Sequence, residues 1–143
     1  PDVALTTDII VGFPGETEAD FQDTVDVVKK AHFDAAYTFI YSKRTGTPAA
    51  TFEQVPENEV KDRFDRLLTV VQESSAENEA RDLGKTMEVL VEDENKNQEG
   101  YLTGRLSNSV LVHFKGPKEL IGTMQNVKLT ESKGFYYFGE LAD

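Results

Sequence analysis

The chain has 143 residues, 26 acidic and 15 basic side chains for a formal net charge of −11, and no cysteine. It is long enough for one ordinary domain or two small ones, and the missing cysteines exclude disulfides, thiol nucleophiles and thiolate metal ligands. Cysteine-free composition fits a reducing cytoplasm, and no run approaches the apolar length of a membrane span, so a cytoplasmic protein without a membrane partner is expected. Pro1-Asp2 resembles neither a signal peptide nor a natural start, and the expectation is a soluble piece of a longer protein.

Charge is distributed unevenly. Residues 1–84 hold 17 acidic and 8 basic side chains, whereas residues 85–143 hold 9 and 7. The overall field opposes phosphate binding, but the nearly neutral second segment leaves room for a local basic face.

The pattern of the first segment is strand, helix, strand. Thr6 to Val11 reads as a strand, and its unbroken Ile9-Ile10-Val11 run suits a parallel strand covered on both faces. Phe13-Pro14-Gly15-Glu16 has Pro and Gly where a type II turn wants them. Thr17 to Asp20 resembles a capping box opening a helix to about Ala31, with Phe21, Val25 and Val28 on one face. Ala35 to Tyr41 predicts a second strand, which makes a right-handed βαβ unit. Polar residues Ser42 to Pro48 follow at the same strand end. A long helix is then expected from about Pro56 to Gly84, with a stripe through Val60, Phe64, Leu67, Leu68 and Val71 that thins after Ala76, as a connector would.

From Lys85 the period changes to two. Met87 to Val91, Tyr101 to Leu106, Val110 to Phe114, Asn126 to Thr130 and Phe135 to Gly139 predict five short strands, and five in so short a span suggest a small OB-like barrel. Glu92 to Gly100 reads as a solvated acidic loop. The expected fold class is therefore α/β followed by all-β.

Three segments carry a family resemblance: Thr-Asp-Ile-Ile-Val-Gly-Phe-Pro-Gly-Glu-Thr at 7–17, Tyr-Thr-Phe-Ile-Tyr-Ser-Lys-Arg-Thr-Gly-Thr-Pro-Ala-Ala at 37–50, and Gly-Arg-Leu-Ser-Asn-Ser-Val-Leu-Val-His-Phe at 104–114. In order and spacing they resemble the radical S-adenosylmethionine tRNA methylthiotransferases, and the Ser-x-Arg-x-Gly-Thr pattern at Ser42 to Thr47 favours the MiaB-like branch, which acts on isopentenyl-adenosine beside the anticodon. The resemblance implies that residues 1–76 are the C-terminal portion of a radical-enzyme (β/α) barrel with the start of a connecting helix, and residues 77–143 a five-stranded TRAM barrel that binds RNA. It also implies S-adenosylmethionine and 4Fe-4S clusters in the full-length enzyme, tRNA around the anticodon stem-loop as partner, and N-terminal domains of the same protein beside this segment. The family's Cys-x-x-x-Cys-x-x-Cys motif lies outside this sequence, so the chain alone is expected to be inactive and to bind neither cluster nor cofactor tightly. Glu16 falls one place late for the broader radical-enzyme pattern, and no catalytic or metal-ligating residue is assigned.

Site residues follow from the matching positions. Gly12, Phe13, Pro14, Gly15, Ile40 and Tyr41 are expected near the cofactor, although on the residues alone Gly12 to Glu16 is an ordinary strand-to-helix turn. Asp8, Ser42 and Arg44 are expected near substrate; Asp8 has the rival reading of an edge residue satisfied by solvent, and Arg44 that of a surface cation. In the barrel, Arg105, Asn108, Lys115, Lys128 and Tyr136 are expected at RNA, as cations for phosphates and a ring for a base. The rival reading makes the lysines solubility charges and half of the aromatic residues core. Alternation places Phe135 with Tyr137 on one face and Tyr136 with Phe138 on the other. His32 and His113 are read as structural or surface residues. Two alternatives stay open: a stand-alone RNA- or protein-binding module without catalysis, and a methylthiotransferase branch acting on another adenosine or a ribosomal protein. Self-association through uncovered strand and helix surfaces of the first segment is also expected.

Overall fold

The structure, a computed structural model, describes residues 3–143; Pro1 and Asp2, and with them the expectation about the chain's start, lie outside the described residues. The chain divides into two compact units, one running through Glu77 and the other spanning Asn78–Asp143.

The first unit is a parallel strand pair with its crossover helix. Strands β1 (Thr6–Val11) and β2 (Ala35–Ile40) pair in parallel from Thr6 opposite Ala35 to Val11 opposite Ile40. Helix α1 (Glu18–Ala31) connects them. Both halves of its capping box form: Asp20 N–H donates to Thr17 Oγ1 and Thr17 N–H to the Asp20 carboxylate. Helix α2 (Glu57–Asp82) follows a 3₁₀ turn at Pro48–Thr51. Val11, Phe21, Val25, Val28 and Leu67 form the core, with Ile9, Phe33, Phe64 and Val71 packed at its margin.

One expectation fails here. β1 is covered on one face only: Val11 is fully buried, while Ile10 is 56% exposed and Phe39 on β2 is 53% exposed. The two helices shield a single side of the two-stranded sheet, so an apolar run that would suit a two-sided strand alternates between core and solvent.

The second unit is a closed barrel in the order β3-β4-β5-β7-β6. Its strands are β3 (Thr86–Glu94), β4 (Tyr101–Leu106), β5 (Leu111–Lys115), β6 (Met124–Ser132) and β7 (Tyr136–Leu141). All neighbours are antiparallel except β5 and β7, which run parallel. Five strands closing in this order make the OB-like barrel expected from the alternation. Val89, Val91, Leu102, Leu106, Val112, Phe114, Val127, Leu129 and Tyr137 fill the interior.

Two glycines make that closure possible. Gly104 lies opposite Val91 and Gly139 opposite Leu129, each beside a shift in strand register. A Cβ at Gly104 would stand 2.9 Å from the Leu90 carbonyl oxygen and collide with Val89; one at Gly139 would stand 2.8 Å from the Lys128 carbonyl oxygen and collide with Val127. Glycine paired with a bulge lets strands bend sharply around a small interior.

Other differences are local. Glu92 to Glu94 continue β3 instead of opening the acidic loop. Phe135 does not share the inward face with Tyr137: it precedes β7 and is 92% exposed. Strand alternation cannot apply to a residue in the preceding turn.

Candidate functional site

In the first unit, Gly12, Phe13, Pro14, Gly15, Ile40 and Tyr41 gather at the C-terminal ends of the two parallel strands. Gly12 follows β1 at φ +80° and is buried; a Cβ there would lie 2.7 Å from both Val60 methyl carbons, so any other residue strains the backbone and forces Val60 to shift. Glu16 N–H donates to the Phe13 carbonyl at 2.9 Å and Gly15 takes φ +90°, as the expected type II turn requires. Phe13 is half exposed and meets the Tyr41 ring edge-on at a centroid distance of 5.2 Å. Tyr41 N–H donates to the Val11 carbonyl at 2.8 Å, and the Tyr41 hydroxyl is a buried polar atom with no hydrogen-bond partner among the described residues.

The turn is fixed from α2 by a residue that sequence reading missed. Arg63 is 4% exposed, and its guanidinium donates to the Glu16 carbonyl (3.0 Å), Glu16 Oε1 (3.1 Å), Glu18 Oε2 (3.3 Å) and Glu59 Oε2 (3.2 Å). Glu16 Oε2 accepts from the Gly12 N–H at 3.2 Å. One turn further, Arg66 forks onto Glu18 at 2.7 and 2.9 Å and lies 4.7 Å from the Phe21 ring centroid. Hydrogen bonds from Arg66 hold the Glu18 carboxyl below its usual range, and the Thr17 N–H does the same for Asp20. A signal for Arg63 exists in the sequence: it falls on the apolar stripe between Val60 and Leu67, where a cation must find buried partners.

Of the proposed substrate residues, Ser42 and Arg44 are exposed in the loop after β2, with the Arg44 carbonyl accepting from Thr47 N–H and Oγ1 at 3.1 and 2.8 Å. Asp8 lies mid-strand on the open face of β1, paired in register with Tyr37.

In the barrel, the proposed RNA residues do not form one basic face. Arg105 is engaged by Glu92 through bonds of 2.8 and 3.2 Å and by the Ser109 carbonyl at 2.9 Å. Those bonds raise the Arg105 pKa and lower that of Glu92. Asn108 accepts from Val110 N–H at 3.1 Å and shapes the turn before β5. Lys115 and Lys128 are exposed on β5 and β6, separated by β7, where Glu140 is the register partner of Lys128.

Tyr136 does have company. Its ring lies 4.9 Å from His113 and 5.8 Å from Phe138, and Phe138 lies 5.9 Å from His113 and 6.2 Å from Tyr101. His113 Nδ1 is 3.0 Å from Thr103 Oγ1, and partial burial lowers the imidazole pKa. The neighbours of His113, which the sequence reads as a structural or surface residue, arrive from two other strands. No group of three or more His, Cys, Asp or Glu side chains among the described residues is arranged to hold a metal ion, and no helix is long and apolar enough to cross a membrane.

Comparison with known proteins bears on both units. Residues 80–142 match the family described as "TRAM domain". The second unit is a TRAM domain. Over its whole length the chain is 62% identical to a tRNA-2-methylthio-N(6)-dimethylallyladenosine synthase of Lachnoclostridium phytofermentans, covering 32% of that relative. A protein of the same description from Clostridium botulinum is 50% identical over the whole chain, with 32% of its length covered, and one from Acetivibrio thermocellus 51% identical over 99% of the chain, with 30% covered. The likeness to the methylthiotransferase family read from three segments thus holds along the entire chain, TRAM barrel included. The chain spans about a third of the length of the curated relatives it matches.

Proposed function

We propose that this chain is the C-terminal part of a cytoplasmic radical S-adenosylmethionine methylthiotransferase that modifies isopentenyl-adenosine beside the anticodon of tRNA. The observation that carries this reading is 62% identity across the whole chain to a synthase of that description. In this reading the βαβ unit is the last part of a (β/α) barrel over residues 1–76, and the TRAM barrel over residues 77–143 grips tRNA around the anticodon stem-loop. The parallel β1–β2 pair and its crossover helix support the first assignment, because loops at C-terminal strand ends are where such barrels place their chemistry.

The residues present fit one edge of S-adenosylmethionine. Gly12, Phe13, Pro14 and Gly15 bring backbone and a half-exposed ring to the strand end, Ile40 and Tyr41 flank it, and the unpartnered Tyr41 hydroxyl has hydrogen-bonding capacity to offer. When bound, the cofactor supplies the radical and methyl chemistry. This chain's residues bind and orient, and it has no thiolate to ligate a 4Fe-4S cluster, which belongs to the N-terminal domains of the full-length enzyme. Ser42 and Arg44 reach substrate from the neighbouring loop, with Asp8 on the open sheet face toward those same domains.

The test is anaerobic reconstitution of the full-length protein with iron and sulfide, followed by nucleoside analysis of tRNA after reaction with S-adenosylmethionine. Methylthio-isopentenyl-adenosine is the expected product. Its absence with reconstituted clusters and isopentenylated tRNA overturns the assignment.

A further inference from the structure

The turn that closes β1 is built from residues that do not fix their own shape. Gly12 and Gly15 take φ +80° and +90°, and glycine has little backbone preference of its own. What fixes the turn comes from α2. Val60 packs against Gly12, and Arg63, close to one helical turn further on, donates to both the Glu16 carbonyl (3.0 Å) and Glu16 Oε1 (3.1 Å). The other oxygen of that carboxylate accepts from Gly12 N–H at 3.2 Å, so a continuous chain of bonds runs from the helix through Glu16 to the first residue of the turn. The next residue, Phe13, meets Tyr41 edge-on at 5.2 Å, and the Tyr41 hydroxyl is buried without a hydrogen-bond partner among the described residues.

Stability alone does not call for this arrangement. The Arg63 guanidinium is bonded to three carboxylates, those of Glu16, Glu18 and Glu59, and the Glu16 side chain is only 11% exposed. Taking such charges out of water is costly, and apolar side chains of similar volume often stabilise a fold as well or better. A buried guanidinium does what an apolar residue cannot, because its planar fork sets the direction of its acceptors as well as their distance. Here those acceptors are the carbonyl and carboxylate of the residue that caps the turn.

We propose that Arg63 is a positioning residue for the cofactor: acting through Glu16, it holds the turn from Gly12 to Gly15, and with it Phe13 against Tyr41, in the arrangement that receives S-adenosylmethionine. This rests on the reading that the turn faces the cofactor, and assigns to a helix outside the strand ends the task of keeping that face in place.

The experiment uses the reconstituted full-length protein and measures three quantities: the Kd for labelled S-adenosylmethionine by equilibrium dialysis, the Kd for tRNA, and amide exchange at Gly12. Two variants keep the buried charge compensated. Arg63→Lys retains the cation without the fork, and Glu16→Ala leaves Arg63 with Glu18 and Glu59. Each should weaken S-adenosylmethionine binding about tenfold while the Kd for tRNA stays within about twofold, since a displaced positioning group costs affinity only where it acts. Gly12 exchange should accelerate while the core amides of Val25 and Val28 stay protected. The double variant should bind the cofactor no worse than the weaker single one within about twofold, because both changes break the same chain of bonds. Arg66→Met is the comparison: its bonds go to Glu18 and Asp62, so cofactor affinity should hold. Wild-type cofactor affinity in both Arg63→Lys and Glu16→Ala, or an equal loss in Arg66→Met, overturns the positioning role while the methylthiotransferase reading stands. No binding of S-adenosylmethionine by the unaltered, cluster-loaded protein overturns both.

Discussion

Arg63 on α2 holds Glu16 twice, through its side chain at 3.1 Å and its carbonyl at 3.0 Å, while that same carboxylate caps the Gly12 N–H. The turn at the end of β1 is therefore set by a buried ion pair from a helix more than forty residues away. Breaking one partner strands the other charge in a site where Arg63 is 4% exposed, a loss of about 3 kcal/mol. Arg63→Met should lower the denaturation midpoint of the first unit accordingly, and Glu16→Gln should cost less because Glu18 and Glu59 still face the guanidinium. Equal and negligible effects in urea titrations followed by amide exchange would show that the pair does not set the turn.

Gly104→Ala and Gly139→Ala should each destabilise the barrel by at least about 1–3 kcal/mol, since the added carbon meets backbone carbonyl oxygen that cannot give way. Gly46→Ala is the comparison: open space surrounds it, so only backbone strain opposes the change. Thermal melts of the three variants rank the effects, and a barrel that accepts alanine at 104 without loss would contradict the tight-corner geometry.

Much of this architecture was legible in the sequence because its signals are local. The Thr17–Asp20 box, the type II turn and the change of period at Lys85 each depend on residues within a few positions of one another, and each appears in the structure. The rest depended on long-range partners. Arg63 was not singled out from sequence, because its carboxylate partners Glu16 and Glu18 lie 47 and 45 residues away. His113 gained its meaning from Tyr136 and Phe138 across the parallel β5–β7 pair. Ile10 looked buried because an isolated strand does not reveal how many of its faces are covered.

Acid should loosen the first unit through Glu18 and Asp20. Their folded pKa values lie below the ordinary carboxylate values of about 4, so their contribution is present above that pH and is lost as pH falls through the lowered values. His113 acts with the same sign at higher pH: its folded pKa is depressed, so below about 6.5 the unfolded chain takes the proton first and stability declines. Denaturant midpoints measured from pH 8 to 3 should fall in two stages, and His113→Phe should remove the upper one. A single acid transition in the unaltered chain would contradict the His113 assignment.

The open face of β1 and β2 should make the isolated chain sticky. Ile10, Tyr37 and Phe39 share that face and are each more than half exposed on a sheet of two strands. Sedimentation should show association that grows with concentration, and Ile10→Asp with Phe39→Asp should suppress it. A strictly monomeric chain at millimolar concentration, strongly protected from amide exchange through residues 6–70, would contradict this.

Steady-state kinetics of the full-length protein on isopentenylated tRNA, intact and with residues 78–143 removed, test most directly the reading of this chain as the substrate-gripping part of a tRNA-modifying enzyme. Loss of binding contacts made equally in ground and transition states raises KM and leaves kcat in place. The expected result is methylthio transfer by both forms, with KM for tRNA raised at least about tenfold on removal of the barrel and kcat within about twofold. An unchanged KM for tRNA after removal of the barrel would contradict it.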